Sequence, residues 1–260
     1  MKRLVVLGAL GVFLLLASGC ATPESGLVYV GGASARASLS GVAAGDSNTL
    51  GNNPEVPPGS RTYACSYPIQ SGPNFFGQCR SSWANWLGMK NWAVGGSAFT
   101  TGATTKATIP ATILARIAAE GAPSRLIISG ATNDLMSGVK SPAIISAMKA
   151  LSDRLAVVAP QTKVYWLTVF PASERIGGPA AEANGRPLIN SWLLSASGKP
   201  ELHNQRVIDC NAMITDPAKP QYLKPALTFI DGSGVHLSST AGALVSDCVS
   251  AVVRAVEPTA

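Results

Sequence analysis

The apolar positions of this chain change period in a regular order. "RLIISG" (125–130) and "KVYWLTVF" (163–170) are near-continuous apolar runs of strand length, which predicts strands buried on both faces. Ahead of the first run, Ile109, Ile113 and Ile117 recur at helical spacing with Pro110 in the first turn. Between the two runs, Ser141-Pro142 opens a helix whose Ile144, Met148, Leu151, Leu155 and Val158 fall on one face. A strand running into Ser47, a helix starting at "SSWANWL" with Ser81 or Ser82 as cap, and a short strand "KNWAVGG" ending in paired glycines complete the first half. "RVIDC" (206–210) is a further strand, and Ser238 to Val256 a last helix. Strands alternating with helices of this length predict a parallel sheet covered on both faces, a single three-layer α/β/α domain over residues 38–260.

Three stretches stand outside this alternation. Residues 1–19 carry Lys2 and Arg3, then an apolar run from Leu4 to Ala17, then small residues, the pattern of an export signal too short to span a bilayer comfortably. Residues 20–37 are rich in small side chains and read as a tether, with "LVYV" able to add an edge strand. Asn52 to Cys79 is a Pro/Gly-rich excursion too irregular for an element.

Charge and cysteine content narrow the function classes. The whole chain carries a formal charge of +6, and loses Lys2 and Arg3 with the signal, so the exported part is only mildly basic and holds no basic cluster. Nucleic acid is not an implied partner. Besides Cys20, the cysteines are Cys65, Cys79, Cys210 and Cys248, an even number that reads as two disulfides in an exported chain. Three pairings are open, and location within the expected fold favours Cys65 with Cys79 and Cys210 with Cys248. No spacing suggests a metal site, and no cofactor is implied.

In a parallel sheet of this kind, sites form beyond the carboxyl ends of the strands. Gly45-Asp46-Ser47 follows the first strand, Gly95-Gly96 the second and "GATND" (130–134) the third, while His236 precedes the last helix. A serine hydroxyl is a weak nucleophile until a base takes its proton, and it acts on acyl groups only where donors await the oxyanion. The four stretches contain those parts. Their order resembles the SGNH hydrolases, the GDSL-like esterases and lipases, over nearly the whole exported chain. The resemblance implies a flavodoxin-like domain with Ser47 as nucleophile and His236 as base. Its oxyanion hole would comprise the Ser47 N–H, the Gly96 N–H (Gly95 being the neighbouring candidate) and the Asn133 amide. No G-x-S-x-G occurs, so the elbow of the larger α/β-hydrolase fold is not the pattern. The "LLASGC" ending similarly resembles a bacterial lipobox, which implies acylation of Cys20, and Ala21 in place of aspartate favours the outer membrane, facing the periplasm. Ordinary signal-peptidase cleavage is the plain alternative.

The resembling family writes its last block Asp-x-x-His, whereas here Ser233 stands three before His236 and Asp231 five before it. A bulged loop with Gly232 and Gly234 would return Asp231 to the ring and complete a Ser47–His236–Asp231 triad. Otherwise a backbone carbonyl orients the ring in a dyad, or Asp231 only closes a turn. The other polar candidates read as structural: Asp134 as a turn residue, His203 as a solvated loop residue, and Trp83, Trp86, Trp92 and Trp166 mainly as core. The expected reaction is hydrolysis of a carboxylic ester, of short acyl, O-acetyl glycan or lipid type. Acyl transfer to a sugar hydroxyl and a non-catalytic glycan-binding module are the alternatives.

Overall fold

In a computed structural model of the chain, residues 39–51, 82–229 and 232–258 are described. Strands β1 (Val42–Ala44), β2 (Lys90–Asn91), β3 (Arg125–Ile128), β4 (Lys163–Leu167) and β5 (Arg206–Ile208) form one sheet in the order β2-β1-β3-β4-β5. Every pairing in it is parallel. This is the flavodoxin-like order, in which the direction of winding reverses beside β1 and opens a crevice at its carboxyl end.

Alternate strand residues feed two separate cores. Val42, Ala44, Leu126, Ile128, Val164 and Trp166 face one layer, built by α3 (Ile109–Glu120), α5 (Ser141–Val158) and α7 (Arg186–Ala196). Ala43, Ile127, Tyr165, Leu167 and Ile208 face the other, built by α2 (Trp83–Trp86) and α9 (Ser239–Val256). Burial on both faces is why the strands read as continuous apolar runs rather than alternating ones. Of the two expected caps it is Ser82 that accepts, from Asn85 N–H, while Thr108 accepts from Ala111 N–H and Ser238 from Ala241 N–H. By length and mean hydropathy α9 resembles a membrane span, but Val245, Val249 and Val253 are buried in the second core.

The elements depart from expectation in three places. Val158 is 37% exposed, because the helix ends there and Ala159, one turn after Leu155, takes the buried position. The second strand pairs over two residues only, although Trp92 and Val94 still donate to the Ala43 and Gly45 carbonyls and hold the chain alongside β1. The Pro- and Gly-interrupted stretch after β4 contains α6 (Gly178–Ala183) and α7, each opened by a proline in its first turn. A hairpin follows, β6 (Thr215–Asp216) with β7 (Lys219–Leu223), after the single turn α8 (Asn211–Ile214).

Cys210 and Cys248 form the expected disulfide, tying α9 to the end of β5 with a Cα–Cα distance of 5.8 Å. Cys20, Cys65 and Cys79 lie outside the described residues, as do residues 1–37 and the excursion.

At the opposite, amino-terminal end of the strands, Glu257 closes a buried charge cluster. It accepts hydrogen bonds from Arg125 (2.8 Å) and Lys163 (2.8 Å) and from the Tyr165 hydroxyl, with the Arg125 side chain 5% and its own 9% exposed. Burial alone would raise its carboxyl, but these bonds outweigh it and hold the pKa at about 2. A depressed carboxylate contributes stability above its unfolded value, 4.5 here, and loses it as the pH falls toward 2. Glu257→Gln, which leaves Arg125 buried without its counter-charge, is expected to lower stability at neutral pH by about 3 kcal/mol. Urea midpoints measured across pH should show that deficit shrinking below pH 4.5.

Candidate active site

The turn after β1 is dictated by crowding. A Cβ on Gly45 would lie 2.4 Å from both the Ser129 carbonyl oxygen and the Thr49 hydroxyl, so only glycine passes. Asp46 then caps α1 (Ser47–Leu50), its Oδ1 accepting the Asn48 N–H at 3.0 Å. Ser47 is therefore the first helical residue, half-buried, at a position whose N–H has no intrahelical acceptor. Asp46 is fully buried beneath it. Burial pushes its pKa up, as does Asp134 nearby, while the Asn48 N–H and the charge on His236 pull it down.

His236 meets Ser47 from 189 residues further along the chain. Its Nε2 lies 2.8 Å from Ser47 Oγ. Asn48, the residue after Ser47, holds the backbone on both sides of the ring: its Nδ2 donates to the Val235 carbonyl and its Oδ1 accepts the Leu237 N–H, each at 3.1 Å. The Phe229 N–H donates to the His236 carbonyl at 2.8 Å and fixes the loop from its other side. The second ring nitrogen, Nδ1, is 3.1 Å from the Ser233 hydroxyl, which also accepts the Val235 N–H at 3.3 Å. Gly232 and Gly234 both take positive φ, 76° and 69°. Asp231 lies outside the described residues.

The oxyanion candidates sit on loops tied to the same turn. Val94 to Ser97 is a tight turn closed by a Ser97 N–H bond to the Val94 carbonyl, with Gly96 in the left-handed region at φ 78°. The Ser97 hydroxyl donates to the Gly45 carbonyl at 3.1 Å, and the Asn133 Nδ2 donates to the Ser97 carbonyl at 2.7 Å. That bond occupies one of the two amide hydrogens of Asn133 and sets the side chain's orientation, leaving the second to donate elsewhere. Asn133 stands in α4 (Thr132–Met136), and its neighbour Asp134 accepts from the Phe99 N–H, the Thr100 N–H and the Thr100 hydroxyl at 2.7–2.9 Å. Burial raises the Asp134 pKa against those bonds. Among the described residues the backbone N–H groups of Ser47 and Gly96 meet no acceptor.

The structure thus brings Ser47, His236, Gly96 and Asn133 onto one hydrogen-bonded frame around the β1 turn. His203 is elsewhere, on the surface, with its Nε2 2.8 Å from Asp153. Trp83, Trp92 and Trp166 are buried and Trp86 is half-buried. Three groups carry the geometry without a reading from sequence: Asn48, Ser97 and the Ser233 hydroxyl. Only Ser233 had a visible signal, since it occupies the position three before the histidine.

Comparison with solved structures agrees on the fold. An inhibitor-bound aryl esterase of M. smegmatis superposes with a TM-score of 0.55 at 16% identity, over 82% of this chain and 98% of its own. A protein from Desulfitobacterium hafniense DCB-2, described as lipolytic and of the G-D-S-L family, gives 0.55 at 18%, over 81% and 97%. A carbohydrate esterase family 2 enzyme with a carbohydrate-binding domain, from Corynascus thermopiles (Myceliophthora fergusii), gives 0.54 at 16%, over 84% and 66%. No protein-family profile matches the sequence, and no curated protein matches it. The fold is that of the SGNH hydrolases.

Proposed function

We propose that the protein is a serine hydrolase that cleaves carboxylic esters through an acyl-enzyme. The observation that carries this reading is the 2.8 Å contact between Ser47 Oγ and His236 Nε2. In the first half-reaction His236 Nε2 takes the Ser47 proton as Oγ bonds to the ester carbonyl carbon, and the oxyanion forms against the N–H groups of Ser47 and Gly96 and the Asn133 amide. The intermediate collapses, the C–O bond to the alcohol breaks, and the imidazolium gives that proton to the leaving oxygen. Water, deprotonated by the same ring, then frees the acid and restores Ser47. Ester-cleaving neighbours that share the fold, an aryl esterase and carbohydrate esterases among them, support the same reading.

An apolar strip beside the base bears on the substrate. Met136, one helical turn after Asn133, is 38% exposed, and Ile176 is 42% exposed. Val235 and Met136 both border Gly177, where an added Cβ would lie 2.8 Å from Val235 Cγ1 and 3.1 Å from Met136 Sδ, and Ile176 lies against Gly234. Solvent-exposed apolar side chains gathered next to a nucleophile favour an ester with an apolar group over a wholly polar one. In a p-nitrophenyl ester series, kcat/KM is expected to rise from acetate to butyrate, and Met136→Ser to flatten that rise.

The test of the reaction class is covalent. A fluorophosphonate probe should add one equivalent to the native protein, with the adduct at Ser47; a protein that stays unlabelled and leaves p-nitrophenyl butyrate intact is not a serine hydrolase. We further propose, from residues 1–20, that the protein is exported and acylated at Cys20, on the periplasmic side of an outer membrane. Intact mass spectrometry of membrane-extracted protein should find the chain starting at Cys20 with diacylglycerol attached.

A further inference from the structure

The Ser233 hydroxyl stands where the resembling family has a carboxylate, and the geometry around it defines its role. For His236 Nε2 to accept the Ser47 proton, neutral imidazole must carry its hydrogen on Nδ1. The atom facing Nδ1 among the described residues is Ser233 Oγ, at 3.1 Å. That oxygen has two lone pairs, and the Val235 N–H takes one at 3.3 Å. The Val235 N–H and the ring nitrogen approach it from within one tight turn, 232–236, whose glycines at 232 and 234 have positive φ. Gly234 is also pressed against Ile176, where a Cβ would lie 2.6 Å from the carbonyl oxygen, so the turn cannot relax in that direction. Asn48, holding residues 235 and 237, fixes the backbone on both sides of the ring.

We propose that Ser233 is the positioning residue of the base: its hydroxyl oxygen accepts the His236 Nδ1–H, so that a neutral oxygen selects the tautomer that leaves Nε2 ready for Ser47. A hydroxyl orients the ring as a carboxylate does but puts no full charge beside the imidazolium. Asp46, the residue before Ser47, is buried, which raises its pKa, and the charge on His236 acts in the opposite direction. Asp231, in the same loop, is the competing candidate, and the experiment separates the two. The assignment rests on the hydrolase reading, through the demand that Nε2 accept the Ser47 proton; the tautomer is read by NMR independently of turnover.

The chain has two histidines, so 15N-imidazole NMR of the full protein resolves His236 once His203→Gln removes the other signal. At a pH where the ring is neutral, His236 should be the Nδ1–H tautomer. Ser233→Ala should move it toward a tautomer mixture and lower kcat roughly tenfold, the weight of one lost hydrogen bond. Ser233→Thr, which keeps the hydroxyl, should preserve both, and Asp231→Asn should perturb the spectrum less than Ser233→Ala. Ser233→Asp should raise the ring's pKa and carry the acid limb of kcat/KM to higher pH, because a carboxylate favours the charged ring. An Nε2–H tautomer in the unmodified protein, an unchanged spectrum in Ser233→Ala, or equal damage from Ser233→Thr overturns the assignment. So does a silent Ser233→Ala beside a damaging Asp231→Asn. Undiminished ester turnover in Ser47→Ala would instead remove the hydrolase reading and leave the tautomer result standing.

Discussion

Ser47→Ala is expected to lower kcat for ester hydrolysis by about a millionfold, the scale on which loss of a serine nucleophile removes the acyl-enzyme route entirely. The effect is chemical rather than structural. The hydroxyl is half-buried and meets His236 Nε2, while the turn that carries it is held by Gly45, by the Asp46 cap and by the bonds that Asn48 makes to residues 235 and 237. None of those needs the Ser47 side chain, so the melting temperature should stay close to that of the unmodified protein. Steady-state rates with p-nitrophenyl butyrate, together with loss of fluorophosphonate labelling, check both halves. A labelled Ser47→Ala protein would place the nucleophile at another serine.

Asn133→Ala is the second large effect, expected at about a hundredfold to a thousandfold in kcat with little change in KM. The asymmetry follows from when the donor acts: the carbonyl oxygen becomes anionic only on the way to the tetrahedral intermediate, so a donor aimed there stabilises the transition state and not the bound ester. Asn133 has a second task, since its Nδ2 also donates to the Ser97 carbonyl at 2.7 Å, on the loop that carries Gly96. Loss of that bond could loosen the loop and weaken the Gly96 donor in the same variant. Gly96→Ala gives a separate measure. A Cβ there meets only Lys106 Cγ at 3.9 Å, but the φ of 78° strains any other residue. A fall confined to KM in Asn133→Ala would show that the amide binds substrate instead.

Much of the fold was legible from one kind of signal. Ile127 and Ile128, or Val164 to Leu167, face opposite layers in turn and are buried on both, so the strands announce themselves as apolar runs without any knowledge of their partners. The same holds for Ile109, Ile113 and Ile117, and for the cap at Ser82, because helix period and cap chemistry are settled within a few residues. Less local features were hidden. Residues 178–196 fold into two helices despite their glycines and prolines, since packing of Ile189 and Leu193 into the first core outweighs weak local propensity.

The site divides along the same line. Order and residue type determined that a serine, a glycine, an asparagine and a histidine each follow a strand or precede a helix, and the resemblance to the SGNH hydrolases made those positions a candidate site. The tertiary structure decided how they meet. Asn48 grips a loop 187 residues away, Asp134 ties α4 to the Phe99–Thr100 turn, and the Ser233 hydroxyl comes to rest on Nδ1 of the base. The bonds of Asn48 and Asp134 run from a side chain to distant backbone, with no period and no spacing to betray them; Ser233 alone stood at a telling position, three before the histidine. They exist only once the sheet has set β1 beside β3 and closed the chain's last loop over the turn at Ser47.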